Sequence, residues 1–180
     1  RRWRRARRAG PGAAGSVALS RLGALAAQQP QNLQADIYAN VGPRLLRYRI
    51  ADDVRSLVEI GKPTVVAEEI QEACQWGRHF YVASSDEHTA AQPRNHYVNA
   101  FAVDSSGELE SLGDAVRLRQ RPIHITVDQR GEHVLAAFNN PSSIAVQRLN
   151  ADGSIGAEVR QQAALATGVY AHQIRVMPSG

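Results

Sequence analysis

The sequence predicts an all-β fold, a partial β-propeller, on three observations. One pattern occurs three times: an apolar run ending in Asn or Ser, a loop, an alternating run, and a polar turn. The copies recur at roughly 40–55 residues in short strands, which is blade spacing. From Ala35 onward, alternation of period two dominates and helical periodicity is scarce. About three blades are expected, too few to close a ring, so the chain is read as part of a larger molecule.

The first and weakest copy is Ile37-Tyr38-Ala39-Asn40, then Leu45-Leu46-Arg47-Tyr48-Arg49-Ile50, closed by Ala51-Asp52-Asp53. The stretch from Val65 to Gln75 fits one or two helical turns or a strand pair equally. The middle copy runs Phe80-Tyr81-Val82-Ala83-Ser84-Ser85, then Tyr97-Val98-Asn99-Ala100-Phe101-Ala102-Val103, with Asp104 to Leu109 as its turn. The third copy reads Val134-Leu135-Ala136-Ala137-Phe138-Asn139, Ile144-Ala145-Val146-Gln147-Arg148-Leu149, and a turn from Asn150 to Ile155. Gly107 and Gly153, after Ser106 and Asp152, supply the positive φ that tight turns need. The chain ends Ser179-Gly180, which reads as the turn between the first two strands of a further blade. The expectation is a fragment or truncated gene product whose open sheet edges promote self-association.

Residues 1–34 are rich in Arg, Ala, Gly and Gln and are expected to be a disordered or signal-like extension. Residues 35–180 form the incomplete propeller domain. Residues 1–35 hold seven Arg and no acid, so the net charge of +4 falls to −3 for residues 36–180. The basic character belongs to the tail, and no nucleic-acid partner is implied. No run reaches the ~18 apolar residues of a membrane span. Cytoplasmic localisation is expected, with export as the alternative. The single cysteine, Cys74, excludes an intrachain disulfide and lies in no nucleophile motif, so a half-buried structural thiol is the expected role.

Blade geometry turns the repeats into a site. The start of an inner strand, the loop between second and third strands, and the crossover between blades share one face. Arg121-Pro122-Ile123-His124 and Tyr170-Ala171-His172-Gln173-Ile174-Arg175 are the corresponding inner-strand starts on neighbouring blades. The loop at Asn139 and the loop from Asp86 and Glu87 to His96 rim the same face. Imidazole suits proton transfer near neutral pH, and Arg121 and Arg175 suit an anionic group. Histidines and arginines at these positions also serve structurally, bonding to neighbouring backbone. His79, His88, His96 and His133 are expected to be exposed bystanders. No His-x-His or His-x3-His spacing occurs, so no metal is expected. One offset stands out: His124 lies seven residues before Gly131 and His172 eight before Gly180. A one-residue slip reverses the face in a strand.

The ordered motifs Pro122-Ile123-His124-x3-Asp128-x2-Gly131, Val134-Leu135-x-Ala137 and Ile144-x-Val146-x2-Leu149-x2-Asp152-Gly153 resemble the lactonase family of seven-bladed propellers. Tyr81-Val82-Ala83 with Val98-x-Ala100-Phe101-x-Val103-Asp104-x2-Gly107 is similar to the preceding blade. The family includes the propeller type of 6-phosphogluconolactonase and the fungal 3-carboxymuconate cyclase. The resemblance covers about residues 36–180 and implies a substrate funnel, with family histidines falling on His172 and His124. Two departures are plain. Tyr170-Ala171-His172 lacks the first imidazole of a His-x-His pair, and Ser84-Ser85-Asp86-Glu87 displaces the acid of an Asn-Glu. The resemblance further places the remaining catalytic arginines and acids in later blades.

The reading is a sugar-lactone hydrolase without cofactor, acting on a small anionic lactone. His172 is the base and His124 its support, while Arg121, Arg175, Asn139 and Glu87 bind substrate. The alternatives are a non-catalytic propeller that serves as an interaction platform, and a carboxymuconate-type cycloisomerase with His172 as general acid.

Overall fold

The continuous apolar run at Phe80–Ala83 needs cover on both faces, and the structure supplies it. The computed structural model describes residues 36–51, 55–86 and 94–178. The expected extension at residues 1–34 therefore lies outside the described residues, as do Asp52, Asp53, Glu87, His88 and Gly180.

Twelve strands follow one another: β1 (Asp36–Val41), β2 (Arg44–Ile50), β3 (Leu57–Val65), β4 (Glu69–Trp76), β5 (His79–Ser85), β6 (His96–Val103), β7 (Leu109–Ser111), β8 (Val116–Arg117), β9 (Pro122–Val127), β10 (His133–Asn139), β11 (Ser142–Leu149) and β12 (Ile155–Glu158). They form three antiparallel sheets in the orders β1-β2-β3, β4-β5-β6-β7 (with β8 also on β6), and β12-β11-β10-β9. Among the described residues there is no helix, and hence none long and apolar enough to cross a membrane. The chain is an all-β partial β-propeller.

Alternate residues of the second sheet serve two cores. Phe80, Val82 and Phe101 pack with Leu45, Val66 and Ile70 toward the first sheet. Tyr81, Ala83, Val98 and Ala100 pack with Ile125, Ala136, Phe138 and Ala145 of the third sheet. A strand buried on both faces reads as unbroken apolar sequence rather than alternation. Each Val, Leu, Ile or Phe side chain in these cores taken fully out of water contributes about 1.5–3 kcal/mol.

The expected polar turns are the joints between wedges. Asp104 N–H donates to the Glu108 carbonyl at 3.0 Å and Asn150 N–H to the Ser154 carbonyl at 2.9 Å. Gly107 and Gly153 both have φ +85°. Each turn docks on the preceding sheet: the Tyr38 hydroxyl donates to the Gly107 carbonyl, and the Tyr81 hydroxyl to that of Gly153 at 3.1 Å. A Cβ at Gly153 would overlap the His79 ring, and one at Gly107 would overlap Arg47 and Asp36. Arg47, almost fully buried, fastens the first joint further through the Ser106 carbonyl at 2.8 Å and Glu108 at 3.1 Å.

Two expectations change. The stretch Val65–Gln75 contains no helical turn: Val65 ends β3, a bend follows, and β4 begins at Glu69 in a different sheet. The segment expected to start an inner strand at residues 170–175 forms no strand. A strand is defined by its ladder, and no described strand pairs with this segment.

Candidate functional site at the inner-strand ends

Register brings one end of each sheet into definition. In the third sheet Phe138 faces Pro122 and Asn139 faces Ser142, so the start of β9, the end of β10 and the start of β11 coincide. In the second sheet Glu69 faces Ser85, which faces His96. The inner strands β4 and β9 lie side by side. Arg121 Nε donates to Gln71 Oε1 at 2.8 Å and ties these two ends together.

Both inner strands carry a β-bulge in their first turn. Ladder pairing skips Gln71, between Ile70 and Glu72, and skips Ile123, between Pro122 and His124. A bulge re-aims the residues beyond it. His124, the first residue past its bulge, is half-buried opposite Ala137. Its Nδ1 accepts the Ile174 N–H at 3.5 Å, which leaves Nε2 as the ring nitrogen without a partner among the described residues.

The segment carrying His172 crosses this same end. Thr167 Oγ1 donates to the Ser142 carbonyl at 2.8 Å, and Ala171 N–H donates to Ser142 Oγ at 3.0 Å. His172 thus sits between an anchor at residue 171 and one at residue 174. It is exposed and makes no hydrogen bond or ion pair among the described residues. The two imidazoles occupy unlike settings, one packed under a crossing segment and one in solvent.

Of the remaining expected residues, Arg121 and Asn139 are half-buried at the third sheet's end. The Asn139 carbonyl accepts from Ser142 Oγ at 3.3 Å. Arg175 is exposed, and with the Gln173 amide oxygen turned toward it donates from Nε at 3.2 Å and Nη2 at 2.8 Å. Glu87 lies outside the described residues. Asp86, just before it, is buried and accepts from Asn95 N at 2.8 Å and Asn95 Nδ2 at 3.0 Å, which closes the base of that loop.

Three histidines expected to be exposed bystanders are not. His96 is buried in β6 with its Nδ1 2.9 Å from Ser85 Oγ, its partner in the strand register. His79 is half-buried, stacked on Trp76, with the Gly153 turn against it. His133 is half-buried at the start of β10, where its Nδ1 meets Asp128 Oδ2 at 2.9 Å. His88 lies outside the described residues.

Asp128, Glu132 and His133 bring potential ligand atoms within 4.8 Å of one another at the opposite sheet end. The Asp128 oxygens already accept from Glu132 N at 2.8 Å and pair with His133. Partial desolvation would raise this carboxyl, but hydrogen bonds from the His133 ring and the two backbone N–H groups outweigh it and hold it below the usual range. The arrangement is a clasp on the β9–β10 turn.

Sequence reasoning missed Glu72. It occupies in β4 the register position that His124 occupies in β9: each is the first residue past the bulge, opposite Ala83 and Ala137 respectively. Aligning the bulges, rather than the apolar runs, is the signal that finds it. Cys74, two residues on and on the same face, is half-buried, and its thiol is pushed up to about 12, by burial first and the Glu72 charge second. The expected structural role of that cysteine fits this setting.

A family model described as lactonase, 7-bladed beta-propeller, matches residues 51–180. No curated protein matches the chain. The family match spans most of the sequence and takes in β3 to β12, and the chain belongs to the lactonase family.

Proposed function

We propose that this lactonase-family propeller hydrolyses a small anionic sugar lactone of the 6-phosphogluconolactone type. Family membership is the observation that carries the reading, and it supports a function of the lactone-hydrolase kind. The grouping of Arg121, His124 and Asn139 at one sheet end, with His172 and Arg175 in the segment crossing it, is compatible with that chemistry.

In this reading His172 takes a proton from water as the water oxygen bonds to the lactone carbonyl carbon. The exposed ring, without a competing partner, supports that assignment. The tetrahedral oxyanion is stabilised by guanidinium groups, a contribution of several kcal/mol, roughly 3–4 for one well-placed donor. The ring C–O bond then breaks and the departing alkoxide takes the proton held on His172, leaving the open hydroxy acid. His124, whose Nδ1 is occupied by the Ile174 N–H, offers Nε2–H as a donor to substrate. Arg175 and Arg121 meet the phosphate or carboxylate.

The test is proton release from 6-phosphogluconolactone by the full-length protein, corrected for spontaneous hydrolysis. Turnover above background that falls at least about a hundredfold in His172→Ala, with unchanged circular dichroism, is expected for a general base. No rate above background would overturn the reading.

A further inference from the structure

We infer that Glu72 is a specificity-determining residue of this site, accepting hydrogen bonds from the ring hydroxyls of the substrate and disfavouring rings that carry a carboxylate there. The inference takes its substrate class from the lactonase reading and its residue from the sheet register alone.

Three observations converge on this carboxylate. Glu72 holds the same backbone position on β4 that His124 holds on β9, and both positions follow a bulge at the start of an inner strand. Its chain neighbour Gln71 accepts from Arg121 across the gap between the two inner strands, so Glu72 follows directly on a residue that touches the candidate site. It is half-buried, yet among the described residues it makes no hydrogen bond and no ion pair.

The fold gives no reason for a charge at this position. Glu72 faces Ala83 and shares its sheet face with Cys74 and Tyr81, the face whose buried residues pack with Ile125 of the third sheet. A partly desolvated carboxylate with no partner opposes folding, so an apolar or neutral residue would serve the scaffold better. An ionised carboxylate is an acceptor only, with room for about four hydrogen bonds. Hydroxyl groups of a polyhydroxylated ring are donors of the matching kind. A second carboxylate on the ligand would meet like charge in a partly desolvated gap. The combination selects lactones that present hydroxyls rather than a carboxylate on the ring edge facing β4, and leaves the anionic group to Arg121 and Arg175.

The test uses the full chain and three non-hydrolysable rings, titrated by ligand-observed NMR: 1,5-anhydro-D-glucitol, tetrahydropyran and tetrahydropyran-2-carboxylate. The wild type should bind the hydroxylated ring about tenfold or more tighter than tetrahydropyran, and Glu72→Ala should shrink that preference to within about threefold. Glu72→Gln should bind the carboxylated ring about tenfold tighter than the wild type does. Melting midpoints within about 2 °C of wild type establish that both variants are folded. Unchanged preferences, an equal loss for all three rings, or no binding of the hydroxylated ring by the wild type would each overturn the inference. Lactone turnover measured in parallel separates the two readings. A preference lost in Glu72→Ala without any wild-type turnover keeps this inference and removes the hydrolase reading, and turnover with unchanged preferences does the reverse.

Discussion

The hydrogen bond from Tyr81 to Gly153 tests the arrangement of sheets as wedges, because it links the second sheet to a turn of the third. Tyr81 is wholly buried, and its hydroxyl donates at 3.1 Å. Burial, with smaller effects of Cys74 and Asp152, pushes the phenol up to about 12, so it remains a donor throughout the neutral range. Tyr81→Phe removes one oxygen, keeps the ring, and creates almost no cavity. Loss of the bond alone costs about 1 kcal/mol, rising toward about 3 kcal/mol if the buried Gly153 carbonyl is left without a donor. With a urea dependence of about 2 kcal/mol per molar, the middle of the usual range, the unfolding midpoint should fall by roughly 0.5–1.5 M. Equilibrium urea titration followed by far-ultraviolet circular dichroism reads this directly. Tyr38→Phe at the other joint should act independently, so the double variant should show the sum of the two shifts to within about 0.5 kcal/mol. An unaltered midpoint in Tyr81→Phe would mean that the Gly153 turn does not dock on the second sheet in solution, and the wedge arrangement would fail with it.

Acid should loosen the same joints. The Asp104 carboxyl is held below its usual range by the Ser106 hydroxyl and then the Glu108 N–H, and that of Asp152 by the Ser154 hydroxyl and N–H. A lowered folded value gives stability that is present above the ordinary carboxylate range and is lost as pH falls through the folded value. Stability should therefore drop between about pH 7 and about pH 3, and the drop should be smaller in the Asp104→Asn, Asp152→Asn double variant; parallel curves in urea titrations at the two pH values would refute it. Cys74, half-buried and pushed up to about 12, should resist iodoacetamide at about pH 8 by about a hundredfold or more relative to the urea-unfolded chain. Rapid stoichiometric labelling of the folded protein, seen by mass spectrometry, would contradict that.

Strands were legible where burial made them so. β5 and β6 stand out in sequence because both faces of their sheet are covered, and β10 and β11 because one face packs into the core they share with the second sheet. The turns at Gly107 and Gly153 were legible because a left-handed backbone against a neighbouring side chain admits little besides glycine. The inner strand β4 was not. Glu69-Ile70-Gln71-Glu72-Ala73-Cys74-Gln75-Trp76 has one buried residue, Ile70, and the bulge at Gln71 breaks the period of two just where alternation would have shown. His96 was misread for a related reason. Its partner Ser85 lies across a loop, and only the strand register sets the two opposite each other. The placing of Arg121, His124 and Asn139 at one sheet end was legible, but their side-chain environments were not. Nothing in the spacing of His124 and His172 separates a ring packed under Ile174 from a ring in solvent.

A repeat lets scaffold and site be told apart within a single chain. Where two copies agree at one backbone position, geometry explains the residue: Gly107 and Gly153 turn the chain, and Tyr38 and Tyr81 lock the turn that follows. Leu135, which stands in β10 where Tyr81 stands in β5, keeps the apolar bulk and lacks the hydroxyl that locks a turn. The first position past the inner-strand bulge fits neither case. It holds a carboxylate in β4 and an imidazole in β9, opposite small alanines in both. Neither charge nor ring is required by a backbone that is the same in the two places. His124 also accepts the Ile174 N–H at 3.5 Å, so the crossing segment accounts for part of its identity. Glu72 has no such partner among the described residues, and the proposed ligand contact is what would account for a carboxylate there.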